Sequence, residues 1–202
     1  MNQNSILLLY EGDTEEEFYK NIIVIKIPKR KIRITYDNLK GITTNINRKV
    51  LNKIFKHLSN NDNENKINVF VAIDREGDRA NDSPLNIPKL KEEISKVTNH
   101  VSEVIEIIAT QDIESWFFID IEGIYTFLKV PITRRNPNKY KSIESFNHRN
   151  LSNLFRTHNK VYLKGKRAAG LIDQLDINKI YDECQDLRAG IEKMVTLIDD
   201  MT

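Results

Sequence analysis

One stretch near the amino terminus constrains this chain more than any other: Ser5–Phe18, SILLLYEGDTEEEF. A short continuous apolar run reads as a buried strand. Gly12 permits the sharp exit such a strand needs before a helix. Thr14 and Glu17 have capping-box spacing, so the helix is predicted to begin at about Thr14. The result is a carboxylate, Glu11, at the carboxyl end of a buried strand, with Glu15 beside it in the first helical turn. In open α/β sheets that edge is where ligands bind. The helix dipole alone accounts for acids at positions 15 to 17. It does not account for Glu11, which precedes the helix.

The pattern recurs along the chain. The first helix, roughly Thr14 to Ile27, gives way to a predicted strand at Ile32–Tyr36. Gly41 then opens a segment in which Ile42, Ile46, Val50, Leu51, Ile54, Phe55 and Leu58 share one helical face. A polar loop, Asn60–Asn65, leads to a second strongly apolar strand, Ile67–Ile73, which runs into Asp74, Glu76 and Asp78. A helix from about Pro88 to Val97 has proline near its first position. A third strand, Glu103–Thr110, exits into Asp112 and Glu114 ahead of an apolar segment, Trp116 to Ile119, that reads as core. Strands alternating with helices predict a parallel sheet covered by helices. Right-handed crossovers keep the strands parallel, so all three exits lie on one edge. Each exit carries acids, although Asp74 to Asp78 also fits an acidic turn bent at Gly77. Asp112 likewise fits a helix N-cap, with Glu114 a first-turn acid.

At 202 residues, with 40% hydrophobic and 30% charged side chains, the chain fits a globular protein. Residues 1–128 are expected to form the α/β core, and 129–202 a mostly helical basic extension packed on it. The expected helices there are Arg167–Leu175 and Asp182–Met201. One cysteine, Cys184, forms no internal disulfide, and four isolated histidines give no zinc spacing. No run is long enough to span a bilayer and no cleavable leader is visible, so a cytoplasmic protein without a membrane partner is expected. The net charge of +2 conceals segregation: Lys129–Arg167 holds eleven Lys or Arg against one acid, Glu144. The last thirty-five residues hold eight acids against three bases. The basic segment suits a nucleic acid, with Arg134, Arg135, Lys139, Lys141, Lys160, Lys164 and Arg167 as backbone contacts. Tyr140 or Tyr162 could stack on a base. Lys164 or Lys166 could stabilise charge developing on a phosphate; Lys166, just ahead of a predicted helix, is the narrow preference.

Crowded carboxylates repel one another and are costly to bury unpaired, and divalent cations are the usual remedy. Oxygen-only ligands point to a hard ion, Mg²⁺ or Mn²⁺. Two such ions stabilise both the attacking and the leaving oxygen of a phosphodiester displacement.

These motifs resemble those of TOPRIM domains, in particular the form found in the OLD (overcoming lysogenization defect) nucleases and related small phage-defence proteins. LLLYEGDTEEEF is similar to the first motif, a strand ending in Glu-Gly. VFVAIDREGD looks like the Asp-x-Asp motif, except that Asp74 is followed by Glu76, with Asp78 two further on. TQDIESWFF resembles the later acidic motif, and KGKRAAG the lysine-bearing stretch after it. The likeness covers Ser5–Leu128 well and the remainder loosely. It implies one ion held by Glu11, Glu15, Asp74 and Glu76 or Asp78, and a second held by Glu11, Asp112 and Glu114. By the same likeness Glu11 and Asp74 are catalytic, and Lys166 is the phosphate-stabilising lysine. The implied activity is a metal-dependent nuclease in anti-phage defence. Its partner would be a separately encoded ABC-class ATPase, since this sequence has no phosphate-binding Gly-x-x-x-x-Gly-Lys loop of its own. An RNA-maturing nuclease, or a non-catalytic module binding nucleic acid or protein, is the alternative. The reading requires Glu11 and Asp74 to lie within roughly 10 Å of each other between Cβ atoms.

Overall fold

Strand β1 (Ser5–Tyr10) carries five consecutive buried residues, so both of its faces must be covered. The computed structural model describes residues 5–27, 32–41, 45–60, 66–75, 84–109, 111–142 and 145–199. In it β1 lies between β2 (Ile34–Asn38) and β3 (Ile67–Asp74), with β4 (Val101–Ala109) beyond β3. All three pairings are parallel, in the order β2-β1-β3-β4. β3 is buried along its whole length.

Alternation along the strands divides the core in two. On one face Leu7, Leu9, Val69, Val71 and Ile73 pack with Val50 and Ile54 of α2 (Ile46–Ser59) and Leu90 and Ile94 of α3 (Ile87–Ser95). On the other, Ile6, Leu8, Phe70 and Ala72 pack with Phe18 and Ile22 of α1 (Asp13–Lys26). The same cluster takes in Trp116 and Phe117 of α4 (Ile113–Phe117) and Ile124 of α5 (Ile121–Leu128). It extends to Leu151 of α6 (His148–Thr157), Leu171 of α7 (Ala169–Ile172), Ile180 of α8 (Ile177–Glu183) and Ile191 of α9 (Gln185–Asp199). The helical carboxyl-terminal part therefore shares one core with α1 and the sheet, and Trp116 to Ile119 are core as expected. Among the described residues no helix is long and apolar enough to cross a membrane.

Because β2 and β3 flank β1 on opposite sides, the chain reverses its order of travel across the sheet at β1. The crevice at such a switch point lies outside the carboxyl ends of β1 and β3, the ends that lead into Glu11 and Asp74.

Several boundaries differ from expectation. α1 begins at Asp13 on an extended Gly12, which has no side chain to cap it, and the Thr14 hydroxyl, inside the first turn, accepts a bond from Gly165. β2 runs two residues later than predicted, in register with β1 from Ile6–Ile34 to Tyr10–Asn38. Gly41 does not open α2: Lys40 and Gly41 both adopt left-handed backbone conformations, and the helix starts at Ile46. β4 begins two residues early, at Val101. The predicted helix Arg167–Leu175 is a 3₁₀ turn, Gly165–Ala168, followed by the single-turn α7. The predicted closing helix is split at Cys184, whose extended backbone separates α8 from α9.

Candidate functional site

The carboxyl ends of β1, β3 and β4 open into a cleft of about 860 Å³. Glu11, directly after β1, turns its Oε2 to the backbone amide of Asp74, which donates to it at 3.3 Å. Asp74, the last residue of β3, is itself buried. Glu15, on the first turn of α1, folds back so closely that a Cβ at Gly12 would stand 3.0 Å from its Oε2. Asp112 caps α4 through Oδ1, which accepts from Ser115 N at 3.2 Å. Glu114 follows in that helix's first turn with its side chain 0% exposed. Glu11, Glu15, Asp74 and Asp112 thus line one cleft, and Glu114 is buried close enough for its charge to act on Glu15 and Asp74.

Their mutual repulsion shows in their proton affinities. Burial, then the nearby Glu114 and Glu11 charges, push Glu15 up to about 7, against the opposing pull of its own backbone hydrogen bond and of Lys164. Burial, followed by Glu15, Glu11, Asp112 and Glu114, holds Asp74 well above the usual carboxylate range. Burial likewise raises Glu114, opposed by Lys164 and the Tyr162 hydroxyl. Lys164 is drawn the other way. Burial alone would lower its affinity, but Glu114, Asp112, Asp74 and Glu15 together raise it.

Glu114 has one satisfied oxygen and one orphan. Its Oε1 accepts from the Tyr162 hydroxyl at 2.9 Å and lies 3.4 Å from Lys164 Nζ. Among the described residues its Oε2 is buried without a hydrogen-bond partner. A buried carboxylate oxygen left bare is costly and calls for a cation or a donor. The all-oxygen donor set here (Glu11, Glu15, Asp74 and Glu114) suits a hard divalent ion. Among the described residues no three such groups are already gathered as a ready-made cation cage.

A family model matches residues 10–194 of the chain. The chain belongs to the family described as domain of unknown function DUF4276. The DUF4276 match runs from the last residue of β1 into α9, and so takes in Glu11, Asp74, Asp112, Glu114 and Lys164. No curated protein and no solved structure matches the chain.

Of the expected site residues, Glu11, Glu15, Asp74, Asp112 and Glu114 share the site, while Glu76 and Asp78 lie outside the described residues. The two candidate lysines are placed differently: Lys164 lines the cleft, whereas Lys166, the narrow preference, is exposed within the 3₁₀ turn Gly165–Ala168, does not line it, and acts on Glu16. The reason is local. Gly165 takes φ +75° and its amide donates to Thr14 Oγ1 at 2.7 Å, which pins this strap to α1 and leaves the preceding lysine, half exposed, on the cleft wall.

The basic segment is less uniform than its composition. Arg135 is tied down, with Nη1 2.7 Å from Glu122 Oε2 and Nε donating to the Val130 carbonyl. Lys160 donates to the Phe127 carbonyl. Arg134, Lys139, Lys141 and Arg167 are exposed but do not line the cleft. Tyr162 cannot stack on a base, since it is buried with its hydroxyl on Glu114. Tyr140 is stacked on Phe118, with ring centroids 5.4 Å apart. The cleft instead gathers groups that sequence reading passed over: Lys40, Arg149 and His148. The last of these was read as isolated, yet its Nδ1 lies 2.9 Å from Asp112 Oδ2. A capping box from Asn147 to Asn150 marks the start of α6 and is visible in the sequence, but nothing there links it to Asp112.

Proposed function

We propose that this cleft is the active site of a TOPRIM-like nuclease that hydrolyses phosphodiester bonds of DNA or RNA with bound Mg²⁺ or Mn²⁺. The observation that carries the reading is the bare, buried Glu114 Oε2 among carboxylates from three parallel strand ends. Glu11, Asp74, Glu15 and Glu114 would hold the cation or cations. A cation there supplies positive charge at the phosphate and a more acidic water.

The protein's own groups do the remaining work. Glu11 is held beside Asp74 by the hydrogen bond that the Asp74 backbone N–H donates to its Oε2, within the cleft both residues line. Lys164, held charged by the acids around it, is placed to stabilise the extra negative charge that develops on a phosphate under attack. Lys40 and Arg149 on the rim suit the flanking phosphates of a strand. The role in phage defence and the separately encoded ABC-class ATPase are part of this proposal and rest on the OLD likeness alone; the cytoplasmic setting, also part of it, rests on the sequence pattern.

The test uses plasmid, single-stranded DNA and RNA, each incubated with Mn²⁺ or Mg²⁺ and wild type, Glu11→Ala or Asp74→Ala. Metal-dependent cutting that both substitutions abolish is the expected result. Tight binding without cutting in any metal would replace the nuclease with a non-catalytic module.

A further inference from the structure

The third acidic motif predicts Asp112 and Glu114 as a pair of metal ligands, but their surroundings differ sharply. Glu114 keeps a bare oxygen, whereas both Asp112 oxygens are taken. Oδ1 accepts from Ser115 N, and Oδ2 accepts from the His148 backbone amide at 2.8 Å and lies 2.9 Å from the His148 ring at Nδ1. One carboxylate oxygen thus grips a single residue twice, fixing both its backbone and its ring.

The backbone is held from the other side too. Asn147 accepts from Arg149 N, while Asn150 Oδ1 accepts from Asn147 N at 3.0 Å, so α6 begins on a closed capping box. The ring is 43% exposed and lines the same cleft as Glu11 and Asp74. A carboxylate at Nδ1 requires that nitrogen to be the donor, which leaves Nε2 as the nitrogen available to a ligand.

We propose that His148, oriented by Asp112, is a catalytic residue that donates its Nε2 proton to the oxygen leaving phosphorus. This rests on the nuclease reading above. In the step, the P–O bond to the incoming water oxygen forms and the P–O bond to the departing sugar oxygen breaks. That oxygen takes the Nε2 proton of the imidazolium, which becomes the neutral Nδ1–H imidazole, and leaves as an alcohol. The water's proton passes to solvent, and the neutral imidazole regains a proton from solvent. Asp112 keeps the Nδ1 proton in place throughout and is a positioning residue rather than a metal ligand.

Lys164, Glu15 and Asp74 in the same cleft are poorer choices; Asp74, raised by burial and by the neighbouring acids, loses its proton to the cations that neutralise them. Lys164 is held charged by four acids and gives up its proton reluctantly. Glu15 is raised by burial and by the Glu114 and Glu11 charges, so cations that neutralise those acids also strip its proton. The His148 ring, by contrast, lines the cleft partly exposed, with Nδ1 held by Asp112.

The test compares His148→Gln and Asp112→Asn with wild type on two esters. One is an ordinary oligonucleotide. The other carries a bridging sulfur at the scissile position, whose thiolate leaves without a proton. His148→Gln should slow the ordinary ester by about 10²–10⁴-fold and the sulfur ester by less than about tenfold. Mn²⁺ affinity, measured by calorimetry, should stay within about twofold of wild type in both variants. Without metal, ¹⁵N imidazole spectra should show the Nδ1–H form of His148 in wild type and its loss in Asp112→Asn.

Equal losses on the two esters would overturn the proton transfer. A large fall in Mn²⁺ affinity in Asp112→Asn would return Asp112 to the ligand set. If His148→Gln melts well below wild type, His148→Asn is read in its place by the same criteria. Wild type that cuts both esters while His148→Gln is unimpaired sinks this inference alone; wild type that cuts neither sinks the nuclease reading and this inference with it.

Discussion

The Gly165 amide donates to the Thr14 hydroxyl at 2.7 Å, joining residues 151 positions apart. That one bond holds the strap bearing Lys164 against the first turn of α1, where Glu15 resides.

Thr14→Val keeps the side-chain shape and removes the acceptor. A part-buried amide left without a partner costs about 1–3 kcal/mol. For a chain of this size that is roughly a 2–10 °C fall in melting temperature. Phosphodiester turnover should fall as well, because Lys164 loses its anchor, while Thr14→Ser should behave as wild type. Thermal melts alongside plasmid-cutting rates check both; a Thr14→Val protein with wild-type melting would show that the bond anchors nothing.

The two lysines of KGKR should separate cleanly. Lys164 lies 3.4 Å from the buried Glu114 and lines the cleft. Removing a preorganised charge aimed at a phosphate typically costs 10²–10³ in rate. Lys164→Ala should therefore lose about that much kcat, and Lys166→Ala less than about threefold. The reverse ranking in single-turnover assays would restore the order that the sequence suggested.

The sheet and its acidic edge were legible because each depends on local pattern. Unbroken apolar runs at β1 and β3 cannot be placed anywhere but inside a covered parallel sheet, and parallel strands must deliver Glu11 and Asp74 to the same end. What escaped the sequence depends on contacts across long separations. No periodicity ties Thr14 to Gly165, or Asp112 to His148, so neither the choice of Lys164 over Lys166 nor the engaged state of Asp112 could be read in advance. Composition also misled. The basic run looked like one phosphate track, yet Arg135 and Lys160 spend their charge on Glu122 and on a backbone carbonyl. The tyrosine between Val161 and Leu163 read as an exposed stacking group and is a buried donor to Glu114.

Nucleic-acid affinity should therefore follow the rim of the cleft rather than the whole basic segment. Lys40→Ala and Arg149→Ala should each weaken binding of a single-stranded oligonucleotide and flatten the salt dependence, by about 0.7 in log–log slope per lost phosphate contact. Arg135→Ala should instead lower the melting temperature, since it breaks a link between the Pro131–Arg135 turn and α5, with little change in that slope. Titrations at several salt concentrations decide the matter. Equal slopes for Arg149→Ala and wild type would remove this residue from the interface.

The acid cluster makes a stability prediction whose sign is opposite to that of a salt-bridged carboxylate. Glu15 is raised to about 7 from an ordinary 4.5, so the folded protein binds its proton more tightly than the unfolded chain does. The stability this contributes is complete below about 4.5 and is lost as pH rises through 7. At 1.36 kcal/mol per unit the loss approaches about 3 kcal/mol, and Asp74 shifts in the same direction. Lys164, raised above its ordinary value, matters only in alkali and leaves this window untouched. Metal-free protein in chelator should therefore melt at lower temperature at pH 8 than at pH 5. Glu15→Gln, which cannot ionise, should gain on wild type as pH rises. On the proposed reading Mn²⁺ binds the deprotonated acids and should stabilise wild type more at pH 8 than at pH 5. A Glu15→Gln advantage that stays constant from pH 5 to 8 would mean that Glu15 ionises normally, and that the cleft does not crowd its carboxylates.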